Sequence, residues 1–406
     1  MTTSARQRRV VFVCNGGWVG GPTVFLRRFC TSLPQHGWDC KLVLTGSQPS
    51  AAFLSEPWPC EVETTGASYS WEQLGRKTAR ILLDFCPEPV VGMAGLGACM
   101  AIRHLYSTGN SDIRMLDTVQ LDVPFEYQRI RNTALMSTAV AAVSDACVAR
   151  IKREIPQLAD RAFRIWLPVP SCSGTPARSA ADGRLRIAYV GRLAQWQKRI
   201  LDFVPLAKEL VSRGLDFSLT FVGEGPERGE LERALTAMDG CAGRVSFLGQ
   251  LSNEKALEVL REQDVLVLLS EAEGQPFVLL EAMISGVVPV VTDLPGTREL
   301  IVDGKTGFLV RPGDFAGFAS ISANLAGNRT QLANVAEAAS RAVREKHEMR
   351  AAVGAFAELL ATVSQMEPPD ERVRAGFAYP GNRMQAWGVP QPLQGLKRRL
   401  LGQQVH

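Results

Sequence analysis

An α/β protein with two Rossmann-like domains of parallel sheet is what this sequence predicts, on three observations. Strand-length apolar runs alternate with helical patterns from end to end, as crossover connections between parallel strands require. The alternation breaks once in mid-chain, at S-C-S-G-T-P-A-R-S-A-A-D-G (171–183), a small and polar stretch with the composition of an interdomain linker. On each side of that break a sheet opens with a strand and then a glycine-bearing turn, Cys14-Asn15-Gly16-Gly17 in the first half and Val190-Gly191-Arg192 in the second.

Taken in order, the strands expected in the first half are 10–14, 41–45, 90–93, 115–119 and 140–144. Those in the second half are 186–190, 218–222, 245–248, 265–269, 289–292 and 308–310. Most are continuous Val, Ile, Leu and Phe runs, as strands covered on both faces should be. The domains are accordingly 1–170 and 184–364, joined by 171–183. Beyond about residue 365 the pattern fails, and Pro368, Pro369, Pro380 and Pro390 alternate with Gly and Arg in a tail that runs to 406 and can pack back on the body. Two such sheets are expected to bind ligand in a cleft at the carboxyl ends of their strands.

Composition narrows the chemistry. The chain has 406 residues, 46% of them hydrophobic, which is ample for two cores. With 45 basic against 41 acidic side chains, the net charge of +4 is too mild to indicate nucleic acid. Nine cysteines, scattered and never spaced C-x-x-C, read as reduced thiols, and with only four histidines they give no metal site. No apolar run reaches membrane-spanning length, and the run after Arg6, Arg8 and Arg9 is too short for a signal peptide. A cytoplasmic protein is the expectation.

The chemistry concentrates between Ser270 and Asp314. Glu273 lies in a polar loop after the apolar run 265–269, and Glu281 lies inside an apolar helix that begins near Pro276. A carboxylate in such a helix needs a partner, because burying a lone charge is costly. Ligand hydroxyls are one such partner. Pro276 suits a helix start, and the first-turn N–H groups of Phe277 and Val278 then form an anion site. Hydroxyl-binding carboxylates flanking an anion site match a nucleotide sugar. Earlier in the same domain, Gly191-Arg192-Leu193 followed by Lys198-Arg199 brings cations to a strand end, where they suit a diphosphate leaving group.

The run Glu273, Gly274, Glu281, Ala282, Met283, Gly286, Pro289, Val290 and Val291, continued by Gly296-Thr297-Arg298-Glu299-Leu300 and Asp303-Gly304-Lys305-Thr306-Gly307, resembles the donor site of the retaining glycosyltransferases of family 4, the group 1 enzymes of GT-B fold. The resemblance covers roughly residues 8–360 and is densest after 184. It implies a GT-B architecture, with an acceptor-side first domain and a donor-side second domain. The implied activity is transfer of a sugar, with retention, from a nucleoside diphosphate sugar to an acceptor hydroxyl on a glycan, lipid or small molecule. On that reading Glu281 holds the ribose, Glu273 holds the donor sugar, and Arg192 and Lys198 neutralise the diphosphate. Gly191, Gly274 and the turn Gln275, Pro276, Phe277 and Val278 complete the donor side. Gly20 and Gly21, opening a helix after the first strand, would approach phosphate or acceptor, with Gln120 and Asp122 also on the acceptor side. No metal and no cofactor is implied.

Two departures from the family pattern stand out. The gap from Arg192 to Lys198 is one residue longer than usual, so Arg199 could take the role given to Lys198. Where the family ends a first-domain strand with His, this chain has Gln120, which hydrogen-bonds but does not titrate. Gln120 keeps open a second reading, a catalytically silent nucleotide-sugar binder. A dinucleotide oxidoreductase is a third. It lacks the G-x-G-x-x-G fingerprint after the first strand, and Val222-Gly223-Glu224-Gly225-Pro226 reads instead as a tight strand-to-helix turn. In the tail, Leu393, Leu396, Leu400 and Leu401 with Lys397, Arg398 and Arg399 form a basic amphipathic pattern, a candidate for weak contact with a membrane surface.

Overall fold

The computed structural model describes residues 7–369, apart from 17–19, 47–48, 55, 67, 69, 94, 111 and 171–182. The linker stretch and the basic tail therefore lie outside the described residues, except for Gly183. The described chain forms two compact units.

The first unit is built on a seven-stranded sheet. Its strands are β1 (Arg8–Asn15), β2 (Trp38–Thr45), β3 (Glu61–Thr64), β4 (Pro89–Met93), β5 (Arg114–Val119), β6 (Ala139–Ala142) and β7 (Ala162–Arg164). They lie in the order β3-β2-β1-β4-β5-β6-β7, every neighbouring pair parallel. The second unit holds a six-stranded parallel sheet of β8 (Leu185–Val190), β9 (Phe217–Val222), β10 (Val245–Phe247), β11 (Val265–Leu268), β12 (Val288–Thr292) and β13 (Phe308–Val310), ordered β10-β9-β8-β11-β12-β13. In each sheet the strand order reverses next to the first strand, between β1 and β4 and between β8 and β11. Such a switch point leaves a crevice at the carboxyl ends, because the two flanking loops run to opposite faces.

The apolar runs of the central strands are buried, as their composition requires: Val10–Val13 and Val265–Leu268 are all inaccessible or nearly so. The two strands missed by sequence, β3 and β7, are short edges. β3 reads E-V-E-T and pairs in parallel with β2, whose Lys41 also bridges Glu61 at 3.0 Å and Glu63 at 2.8 Å.

The units also divide differently from the sequence reading. Trp166 and the residues after it, read as the end of the first domain, group with the second unit, as does Ser144–Ala146. Val353 onward, read as second domain, groups with the first. The reason lies in the long helix Met349–Gln365, whose Phe356 enters an aromatic cluster of the first unit, 4.4 Å from the Phe29 ring and 6.0 Å from that of Phe25. Just past that helix, the Met366 carbonyl accepts a 2.7 Å hydrogen bond from Arg114 Nε. Among the described residues, no helix is long and apolar enough to cross a membrane.

Candidate functional site: the switch point of the second sheet

The loops after β8 and β11 flank the switch point of the second sheet, and they carry most of the predicted donor residues. After β8, Gly191 takes φ 154°, and the chain passes through Arg192 and Leu193 to a single-turn helix, Gln195–Lys198. Arg199 then adopts a left-handed conformation, φ 52°. That turn separates the two cations the sequence could not distinguish. Arg199 goes to Asp202 at 3.1 Å and Glu271 at 3.8 Å, whereas Lys198 Nζ donates to Glu273 Oε1 at 2.6 Å. The position facing Glu273 therefore belongs to Lys198.

The second loop is stitched to the first through the backbone. Glu271 N–H donates to the Gln197 carbonyl at 2.8 Å, and Gln197 Nε2 donates to the Ala272 carbonyl at 3.1 Å. Glu273 is thereby held almost fully buried, with 5% of its surface exposed. Gly274 is fixed from the other side: a Cβ on Gly296 would stand 1.8 Å from the Gly274 carbonyl oxygen, so only glycine permits this approach. The helix Phe277–Ile284 follows, with Pro276 as its N-cap residue and no side-chain cap among the described residues. Glu281, also 5% exposed, projects from that helix, and Asn253 Nδ2 approaches its Oε1 at 3.4 Å.

Two buried polar atoms near Glu273 in the chain, Ser270 Oγ and Gln275 Oε1, have no hydrogen-bond partner among the described residues. Buried polar atoms are nearly always satisfied, so orphans at a strand mouth mark a place where a ligand or water belongs. Arg192 is exposed, with its guanidinium 5.8 Å from the Trp196 ring centroid. Its carbonyl accepts from the Tyr189 hydroxyl at 2.7 Å. Burial pushes the Tyr189 phenol well above its ordinary pKa, and the nearby Glu273 carboxylate adds to this, so Tyr189 stays a neutral donor.

The G-x-G after β9 has a packing purpose. A Cβ on Gly223 would stand 2.0 Å from the Gly191 carbonyl oxygen, and one on Gly225 would stand 2.1 Å from that of Leu193. Gly191 N–H donates to Val222 and Leu193 N–H to Glu224, both at 2.9 Å. These glycines let the β9 loop support the Arg192 loop.

The first-unit candidates have different settings. Gly20, φ 153°, is the N-cap residue of the helix Gly21–Ser32, with Pro22 in its first turn. Gln120 is half-buried just past β5, and its Nε2 has no hydrogen-bond partner among the described residues. Asp122 has partners of its own, its Oδ1 accepting from the Tyr127 hydroxyl at 2.8 Å and from Arg150 at 2.9 Å. Sequence reasoning missed Asn253 and Gln197. Asn253 opens its own helix behind the Ser252 cap, and no spacing rule links it to Glu281. Gln197 stood beside Lys198 and could have been found as a polar residue in a loop rich in cations.

Two parallel Rossmann-like sheets with these switch-point loops define a GT-B fold. Among solved structures, Anabaena Alr3699/HepE in complex with UDP and glucose has a TM-score of 0.72 at 18% identity, covering 87% of this chain and 99% of that one. S. aureus TarM, solved with UDP and two further ligands, has a TM-score of 0.73 at 11% identity, covering 87% and 99%. Residues 184–328 match the family model of the group 1 glycosyl transferases. The alpha-D-kanosaminyltransferase of Streptomyces kanamyceticus is 35% identical over 135 residues, 33% of this chain and 34% of that protein. The N-acetyl-alpha-D-glucosaminyl L-malate synthase of Bacillus anthracis is 35% identical over 149 residues, 37% of this chain and 38% of that protein. The match thus spans little more than a third of the length of these two curated relatives.

Proposed function

We propose that this chain is a retaining glycosyltransferase that moves a sugar from a nucleoside diphosphate sugar to an acceptor hydroxyl. The observation that carries the proposal is the Lys198–Glu273 pair at the mouth of the second sheet, held between two stitched loops and next to the uncapped start of the Glu281 helix. A buried carboxylate with one ammonium partner is poised to exchange that partner for sugar hydroxyls, while the ammonium turns to phosphate. Glu281 and Asn253 together offer an acceptor and a donor to a ribose diol. The helix start and the cations Lys198 and Arg192 oppose the diphosphate charge.

In the reaction the bond from the anomeric carbon to the diphosphate oxygen breaks. A bond to the acceptor oxygen forms on the same face, and the acceptor proton passes to the departing phosphate oxygen. The products are the glycosylated acceptor and the nucleoside diphosphate. Charge on the leaving group grows along this path, so cations that meet it act chiefly in the transition state. The proposal invokes no metal: the protein's own cations supply the positive charge. The uridine nucleotides bound by the solved neighbours favour a UDP donor.

Calorimetric titration with UDP, GDP and NAD tests the reading. Binding of UDP or GDP, with no response to NAD, is expected. Turnover of a matching nucleotide sugar, followed by NMR of the product, should preserve the anomeric configuration. An NAD response without a nucleoside diphosphate response overturns the assignment, and an inverted product overturns retention.

A further inference from the structure

An aromatic cluster of the second unit ends at the loop that carries Arg192. Tyr189 of β8 is 1% exposed, and its ring packs edge-on against Phe203, the centroids 5.4 Å apart. It also lies 6.2 Å from the Phe221 ring, which in turn stacks on Phe247 at 4.8 Å. Phenylalanine fills the other three places, so packing alone does not call for a hydroxyl at 189. The hydroxyl donates instead to the Arg192 carbonyl at 2.7 Å. A Cβ at Gly191 would stand 3.1 Å from the phenol oxygen, so glycine there leaves room for this bond.

We propose that Tyr189 is a positioning residue for phosphate recognition: its hydroxyl fixes the backbone from which Arg192 reaches the terminal phosphate of a nucleoside diphosphate. The inference rests on the reading of Arg192 as a cation that meets the diphosphate. Tyr189 itself touches no ligand. It acts through the peptide that joins Arg192 to Leu193.

That peptide is tied at both ends. Its N–H, from Leu193, donates to the Glu224 carbonyl at 2.9 Å. Its carbonyl, from Arg192, accepts from Tyr189 and, at 2.9 Å, from the Ala194 N–H. Without the phenol the carbonyl keeps only the Ala194 bond, which lies within the same turn and does not anchor the loop to the sheet. The Arg192 side chain is exposed, and a long exposed side chain loses rotamer freedom when it grips a ligand. A fixed backbone narrows the volume its guanidinium must search, so less is lost on binding. Because the phenol stays neutral, it remains a donor to this carbonyl.

The test is calorimetry on the full chain with paired nucleotides, UDP against UMP and GDP against GMP, since only the diphosphate presents the group that Arg192 meets. In the pair that binds, the native chain should prefer the diphosphate. Tyr189→Phe keeps the ring; it should leave monophosphate affinity unchanged and cut the preference about 3–10-fold, the worth of one hydrogen bond. Arg192→Ala should cut it further, and adding Tyr189→Phe to Arg192→Ala should change nothing more. A hydroxyl that only supports the fold would lower monophosphate and diphosphate affinity together, or cost the same factor with and without the Arg192 side chain. Either result overturns the proposal, as does a Tyr189→Phe protein with the native preference. A native chain that binds none of the four nucleotides removes the diphosphate reading itself, and this inference with it.

Discussion

Each unit buries an ion pair near a strand end, and the two pairs are built in opposite ways. In the first unit, Arg129 donates to Asp117 at 2.6 Å and to Glu126 at 2.9 Å, and also to the Thr118 carbonyl. Asp117 accepts in addition from the Thr118 N–H at 2.9 Å and the Thr133 hydroxyl at 2.7 Å. Burial works against the Arg129 charge, but Asp117 and Glu126 outweigh it, and its pKa is raised. In the second unit, Lys198 and Glu273 meet through a single 2.6 Å contact, with orphaned polar atoms on Ser270 and Gln275 nearby in the chain. A network closed on itself rigidifies a unit, whereas one that stops short is waiting for a partner. Sequence alone could not separate these uses, since both are charges next to apolar strands.

The sharpest way to break the comparison is to cut each pair. Asp117→Ala should cost the first unit about 3–5 kcal/mol by urea unfolding, because Arg129 is left as a buried charge with less compensation. Replacing the whole triad by apolar side chains, Asp117→Leu, Glu126→Leu and Arg129→Met, should recover much of that loss, since no buried charge is then left without a partner. Lys198→Ala also leaves a buried carboxylate, Glu273, without its ammonium, and its distinguishing effect should be on turnover, which falls about 10²–10³-fold. Arg199→Ala, whose side chain is turned to Asp202 and Glu271, should keep near-normal turnover. If Asp117→Ala is silent in unfolding, or Arg199→Ala matches Lys198→Ala in turnover, the contrast drawn between the pairs fails.

Smaller effects sharpen the donor side. Glu281→Gln should weaken nucleoside diphosphate binding by about 1.5–3 kcal/mol, the worth of a hydrogen bond to a charged group. Glu273→Gln should spare the free nucleotide and impair use of the donor sugar. Equal loss of nucleotide affinity in both variants, measured by calorimetry, would remove the division of roles. The smallest effect belongs to Asp293, whose pKa the hydrogen bond from Arg298 holds below the ordinary carboxylate range. A depressed folded value means that the pair's stabilisation is present at neutral pH and is lost as pH falls through that value. The stability difference between the native chain and Asp293→Asn should therefore be constant near neutrality and disappear on acidification. A difference that grows in acid would reverse the sign.

The sequence by itself determined which segments are central strands, because a parallel strand covered on both faces must be a continuous apolar run, as Val10–Val13 and Val265–Leu268 are. It also pointed to the candidate loop, since Glu273, Glu281 and the helix start between them are local in the chain. Tertiary structure alone decided the rest. β3 and β7 needed a neighbour to pair with, and an edge strand carries no apolar signature of its own. Phe356 joined the first unit because its ring fits the cluster of Phe12, Phe25 and Phe29, a contact across more than 300 residues of chain that no periodicity encodes. Asp122 was claimed by Tyr127 and Arg150, and Glu281 met Asn253, through distances that only folding sets. The choice between Lys198 and Arg199 turned on one left-handed residue, and backbone handedness at a non-glycine position is decided by the contacts on either side of it.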